Sequence, residues 1–301
     1  MRTRHLALML LVVTIWGTNF LFAQVALRSV PPLTLTALRF ILASLPAIFF
    51  IRRPAIPVAT LLLYGLANFA LQFGLVFSGM KAGVPAGLAS LVLQVQVFFT
   101  MGLSMWAFGE RPLAWRWVGA VVAFAGIGIV GLHARGDVNP VGVGFLLLGA
   151  LAWSVGNLTV KRAGDVNALA LVIWGSAVSA VPLVGLSLLV EGPAAWQGLA
   201  RAPSLALVGS VAYIVYISTL VGYSLWAKLL RTYSPSVVVP FTLLVPIVAL
   251  LGSVVVLGEG LPPWKLGAAA LVLAGVALNV LGGRVAAWLR PVAVVAPVVD
   301  R

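Results

Sequence analysis

Breaks at charges, Pro and Gly divide the 301-residue chain into ten long apolar stretches. No other feature constrains the fold as much, because each stretch is close to the ~20 residues an α-helix needs to cross about 30 Å of hydrocarbon. The first five run Leu6–Leu27, Leu33–Ile51, Val58–Gly79, Val84–Trp106 and Ala114–Leu132. The second five run Val141–Val160, Asn167–Val190, Ser204–Ala227, Pro235–Leu257 and Pro263–Gly283. In lipid, every backbone N–H and C=O must be paired within the chain, so these stretches, numbered here as spans 1 to 10, are expected as helices. A soluble globule of this length needs a charged surface of roughly 25% of its residues, and this chain has 8%. Span 1 is too long for the apolar core of a signal peptide, and no Ala-x-Ala site follows it, so it is expected to stay as a membrane helix.

The net charge of +13 lies on single or paired residues between spans, without the basic stripe of a nucleic-acid binder, so no nucleic-acid partner is expected. Its distribution sets topology instead. With the N-terminus in the cytoplasm, 13 of the 19 basic residues fall on that side. Five (Arg28, Lys81, Arg135, Arg201 and Lys265) fall on the other, and Arg39 lies inside span 2. Cytoplasmic enrichment of Lys and Arg therefore predicts both termini inside.

The sequence also repeats. Phe108-Gly-Glu110, Trp115, Arg116 and Ala125-Gly126 match Leu257-Gly-Glu259, Trp264, Lys265 and Ala274-Gly275 at an offset of 149 residues. Upstream, Trp16 pairs with Trp153 and Pro46 with Pro182 at offsets of 137 and 136, the difference being absorbed by the longer Glu191–Arg201 loop. Residues 1–133 and 134–290 thus form two five-span repeats, followed by a tail, 291–301. Five crossings are odd, so the halves enter the membrane from opposite sides. Inverted repeats of this kind point to a transporter with its site near the midplane between halves.

Trp16-Gly-Thr-Asn19-Phe20, Leu38-Arg39-Phe40, the span 4 run Pro85 to Thr100 containing Gln94 and Gln96, Phe108-Gly-Glu110-Arg111, and Val221-Gly-Tyr223 with Trp226 resemble the drug/metabolite transporter superfamily. Within it the chain is most similar to the ten-span, EamA-type branch and to the bacterial O-acetylserine/cysteine exporter group. The resemblance implies an all-α, multi-pass bacterial inner-membrane protein that exports small metabolites by alternating access. Amino acids and their derivatives are the first substrates it suggests; purines or other neutral amphipathic metabolites are the alternative. A non-transporting membrane scaffold is a third reading.

Polar side chains are costly in hydrocarbon, so those present either bond across helices or line an aqueous path. Tyr64, Asn68 and Gln72 recur every four residues on one face of span 3, and Gln96, Thr100 and Ser104 form a second stripe on span 4. Gln94 points roughly 200° from Gln96, so the two amides do not share one space. Trp16 and Asn19 sit near mid-span in span 1, as Trp153 and Asn157 do in span 6. In span 8, Tyr213, Tyr216 and Tyr223 fall within about 80° on a helical wheel. Arg39 lies about 9 Å from the outer end of span 2, where it either snorkels to the interface or attracts a carboxylate-bearing substrate. Trp16, Asn19, Arg39, Asn68, Gln72, Gln94, Gln96, Trp153, Asn157, Tyr216 and Tyr223 are the candidate substrate contacts. Pro240 and Pro246 mark span 9 as a kinked lining element, whereas span 4 has no internal Pro.

No Asp or Glu lies inside any span. The superfamily's small multidrug exporters exchange a proton for a cationic drug on a mid-membrane carboxylate. The lack of one here argues against cationic drugs and against coupling through a buried acid, leaving facilitated export, exchange or coupling at a mouth group such as Glu110. The same inventory provides no metal-pyrophosphate site, no nucleophile with its base and no phosphate-binding loop, so neither an enzyme nor ATP coupling is expected. With no Cys there are no disulfides. No cofactor or metal is expected. The expected partners are a small-molecule substrate and the lipid bilayer, with the chain acting as a monomer or weak homodimer.

Overall fold

The computed structural model describes residues 3–109, 111–133, 138–164, 166–201, 203–233 and 238–288, and among them every regular element is helical. Glu110, Pro235 and the 291–301 tail lie outside the described residues. Among the described residues, nine helices are long and apolar enough to cross a membrane: Thr3–Ala26, Pro32–Phe49, Val58–Lys81, Ala86–Phe108, Ala114–His133, Pro140–Ala163, Ala168–Val190, Leu205–Trp226 and Pro263–Gly283. Span 9 appears as a shorter apolar helix, Phe241–Leu257. The chain is thus a multi-pass membrane protein.

Several spans depart from simple helices, each for a local reason. Span 2 was expected unbroken to Ile51, but its α-helix stops at Ser44. Leu45 precedes Pro46 and takes an extended conformation (φ −95°, ψ 138°), because a proline ring disfavours helix at the residue before it. The repeat-related Pro182 is instead carried inside the continuous helix of span 7. In span 9 the α-helix begins only at Leu244, so Pro246 falls in its first turn, where a missing N–H removes no helical bond. Span 4 is interrupted at the equivalent place without any proline. Its helices Ala86–Leu93 and Gln96–Phe108 are joined by a 3₁₀ turn in which Gln94 N–H and Val95 N–H donate to the Leu91 and Val92 carbonyls. Spans 4 and 9 are therefore both discontinuous, and both close on a left-handed glycine, Gly109 (φ 66°) and Gly258 (φ 69°), 149 residues apart.

Spans 3 and 8 share another irregularity. Leu66–Leu71 and Tyr213–Val221 are wound as π-helix, and the 149-residue offset carries the first segment inside the second. A π turn holds an extra residue, so it rotates everything beyond it relative to an α-helical wheel.

The two halves are visibly inverted where spans 5 and 10 meet. These helices pack antiparallel: Trp115 lies on Gly282, Gly119 on Gly275, and Gly126 on Ala268 and Val272. His133 stacks on Trp264 with ring centroids 4.5 Å apart. The offset of 149 exchanges these contacts: Gly119–Gly275 becomes Ala268–Gly126, and Trp115–Gly282 becomes Trp264–His133. Self-complementary contacts between antiparallel fifth helices mean that the halves traverse the membrane in opposite senses. Small residues let the backbones approach, as hydrocarbon supplies no hydrophobic drive for helix association.

The halves are also joined at helix ends. Glu191, beyond span 7, accepts hydrogen bonds from the backbone N–H groups of Leu33 and Thr34 and from Thr34 Oγ1, each at 2.7 Å. Glu259, beyond span 9, accepts from Ala86 N–H at 3.1 Å. Each carboxylate meets unpaired amides at the N-terminus of a helix from the other half. Glu191→Ala is expected to destabilise the protein by about 1–2 kcal/mol, with Glu191→Gln recovering part of the loss. Thermal unfolding in detergent checks this.

Candidate functional site

Arg39 does not snorkel. Its side chain is only 2% exposed, and its guanidinium reaches across to span 8, where Nε and Nη2 donate to Thr219 Oγ1 at 3.2 and 3.0 Å. The Thr219 hydroxyl donates in turn to the Ile214 carbonyl at 2.8 Å, five residues back within the π segment. The widened turn thus orients the hydroxyl that anchors Arg39. Phe73 of span 3 covers one face of the guanidinium at 4.0 Å, and Phe40 lies at 5.4 Å. The two described carboxylates, Glu191 and Glu259, are engaged at helix ends, so this buried cation has rings and a hydroxyl around it and no acidic partner among the described residues.

The same depth carries the candidates from span 1. Trp16 Nε1 donates to the carbonyl of Ser218, the residue before Thr219, at 3.3 Å. Its indole lies over Gly222 and packs against Tyr223 and Trp226 at centroid distances of 5.4 and 5.2 Å. From Tyr223 the rings continue through Phe69 (6.5 Å) and Phe40 (4.9 Å) to Phe73 (5.7 Å), back beneath Arg39. One aromatic and polar layer therefore spans 1, 2, 3 and 8, built from both halves. Asn19 is buried one turn from Trp16, and Gln72 is buried beside Phe73.

Other candidates fall elsewhere. Asn157 Nδ2 donates to Gln96 Oε1 at 3.0 Å and to Thr100 Oγ1 at 3.3 Å, while Ser154 donates to the Gln96 carbonyl. These residues join spans 4 and 6, so the repeat-related amides differ: Asn157 is tied to span 4, whereas Asn19 Oδ1 has no hydrogen-bond partner. Asn68 packs on Gly156 of span 6, and Tyr64 on Gly175 of span 7. Gln94 is buried at the interruption of span 4, and Trp153 is partly buried against the core. Tyr216 is 47% exposed and outside the ring chain. Its grouping with Tyr223 assumed 100° per residue, which the π segment does not keep. Asn157→Ala is expected to cost about 0.6–1.7 kcal/mol of stability and leave transport intact. Unfolding and flux measured on the same preparation test both halves of that expectation.

Thr219, Phe73 and Phe69 were not singled out by sequence. The adjacent hydroxyls Ser218-Thr219 within an otherwise largely apolar span were the signal available for the first; the phenylalanines are indistinguishable from lipid-facing residues by type. Two cavities lie toward the Arg52–Arg53 end. One of about 430 Å³ is lined by Phe50 to Ala55 with Val166, Asn167 and Ala170, and an apolar one of about 350 Å³ lies between spans 2, 7 and 8. The second is walled by Leu220 and Val221, between Thr219 and Tyr223, and by Ser224 just beyond Tyr223.

Two inverted five-span halves with discontinuous helices in equivalent places and a polar layer between them form the architecture of inverted-repeat transporters. The model of the EamA-like transporter family matches residues 3–132 and 140–281, one match in each half. The chain belongs to this family. It is 39% identical over 285 residues to a probable amino-acid metabolite efflux pump of Salmonella typhimurium, covering 92% of this chain and 95% of that one. It is 36% identical to a probable amino-acid metabolite efflux pump of Escherichia coli K12, covering 95% and 97%. At 29% identity it also resembles a probable terminal-alkyne amino-acid exporter of Streptantibioticus cattleyicolor, covering 90% and 91%. A solved crystal structure shares the fold, with a TM-score of 0.62 at 21% identity and coverage of 95% and 99%.

Proposed function

We propose that this transporter exports amino-acid metabolites, O-acetylserine- or cysteine-like in size, across the bacterial inner membrane by alternating access, with both termini cytoplasmic. One observation carries the reading: the layer of Trp16, Arg39, Phe73, Thr219 and Tyr223 takes its residues from both halves at one depth. Rocking one half against the other opens such a layer to each side in turn, because its walls separate as the halves move. The names of the relatives supply the substrate class, and the bias of basic residues supplies the orientation. The layer lies within one chain, so a monomer suffices.

Counterflow in liposomes with labelled amino acids, O-acetylserine and nucleobases tests this. Exchange of at least one amino acid or derivative is expected. Exchange of nucleobases alone would replace the substrate class, and no exchange of any kind would remove the transport reading.

A further inference from the structure

Three buried polar atoms of the central layer have no hydrogen-bond partner: Arg39 Nη1, Gln72 Oε1 and Asn19 Oδ1. Their residues are 2%, 2% and 6% exposed, so bulk water does not serve them. Buried polar groups are nearly always paired, and unmet ones in a membrane interior are costlier still. The three belong together by level. Trp16 and Arg39 bond to the adjacent residues Ser218 and Thr219, Asn19 is one turn from Trp16, and Gln72 precedes the Phe73 ring that covers Arg39.

Their chemistry is complementary to a single kind of head group. Thr219 occupies Nε and Nη2 of Arg39, and the rings occupy its faces. What remains is the Nη1 side of a planar, permanently charged fork whose favoured partner is a carboxylate. Gln72 and Asn19 offer amide oxygens, acceptors for an ammonium. A cation would be repelled by Arg39, and a plain carboxylate would leave both oxygens unmet. A zwitterion satisfies all three, and its carboxylate balances the buried charge. We propose that Arg39, Gln72 and Asn19 bind the α-carboxylate and α-ammonium of a zwitterionic amino acid, with its side chain against the Trp16–Tyr223–Phe69 rings. This rests on the transport reading above and adds the recognised group to it.

The test uses the full-length wild-type protein in liposomes and the amino acid that exchanges in the counterflow panel. Its carboxamide and its N-acetyl derivative are run as unlabelled competitors, each lacking one charge of the zwitterion. Each is expected to compete about ten- to a hundredfold less well than the parent, the factor for losing one charge-assisted hydrogen bond. Competition by both analogues equal to that of the parent overturns the site while leaving transport standing; absence of any amino-acid exchange in wild type overturns both. Arg39→Gln is expected to lose exchange of the amino acid, and Arg39→Lys, which keeps charge without the fork, to retain a fraction of it. Unchanged affinity in a folded Arg39→Gln protein counts against the proposal. Where that variant does not fold, the wild-type analogue series decides alone.

Discussion

Leucine in place of Gly275 is expected to abolish the pairing of spans 5 and 10 and to leave little folded protein. A Cβ at this position falls on the Gly119 carbonyl oxygen and within 2.6 Å of Ala123 N, both backbone atoms that no side-chain rotation can move. The reciprocal change fares no better, since a Cβ at Gly119 lies 2.5 Å from the Gly275 carbonyl. Overpacking of this kind costs about 1–3 kcal/mol or more where backbone must shift. Here two helices would have to separate along a seam that relies on close approach for its van der Waals attraction. Symmetry adds a second expectation: Gly126→Leu, which meets the Ala268 carbonyl at 2.9 Å, should injure the same seam from its repeat-related end. Gly128 and Gly131, on the same helix with no atom within 4 Å of an added Cβ, are the controls. Alanine there should be neutral or slightly stabilising, as glycine costs a helix about 1 kcal/mol relative to alanine. Yield of monodisperse protein and thermal unfolding in detergent measure the series.

Trp16→Ala is expected to reduce exchange by about ten- to a hundredfold, through loss of one hydrogen bond and the ring contacts. The indole joins span 1 of the first half to span 8 of the second through Ser218, Tyr223 and Trp226. Its place exists because Gly222 has no side chain: a Cβ there would lie 2.7 Å from Trp16 Nε1. Gly222→Val should therefore reproduce the loss of exchange with the tryptophan intact, by pushing the ring out of the layer. Tyr216→Ala should leave exchange unchanged, because that residue is half exposed on the other side of the same helix. If Trp16→Ala and Gly222→Val are folded and exchange at the wild-type rate, the layer is packing and the substrate passes elsewhere.

Much of this architecture was legible without coordinates. Hydropathy marks the spans because an unpaired peptide group in lipid is prohibitive, which leaves each apolar stretch only the helix. The offset of 149 residues relates Gly109 to Gly258 and the break in span 4 to that in span 9, although span 4 carries no proline to announce it. Arg39 stood out as the one basic residue within a span, and Trp16 and Asn19 as polar or amphipathic groups at its centre. A wheel of constant pitch misplaces Tyr216: the π segment at Tyr213–Val221 turns it toward the exterior, away from Tyr223.

The amino-acid sequence by itself determined that this protein crosses the membrane in ten stretches arranged as two opposed halves, because span formation depends on the residues of one stretch and the solvent around it. Only the tertiary structure decided the fate of each polar group. Asn157 is spent on Gln96, 61 residues away, and Arg39 is anchored by Thr219, 180 residues away, while Asn19 and Gln72 are left with free acceptors. Pairing of that kind is a property of which helices touch and in what register, and neither is encoded in the composition of a single span.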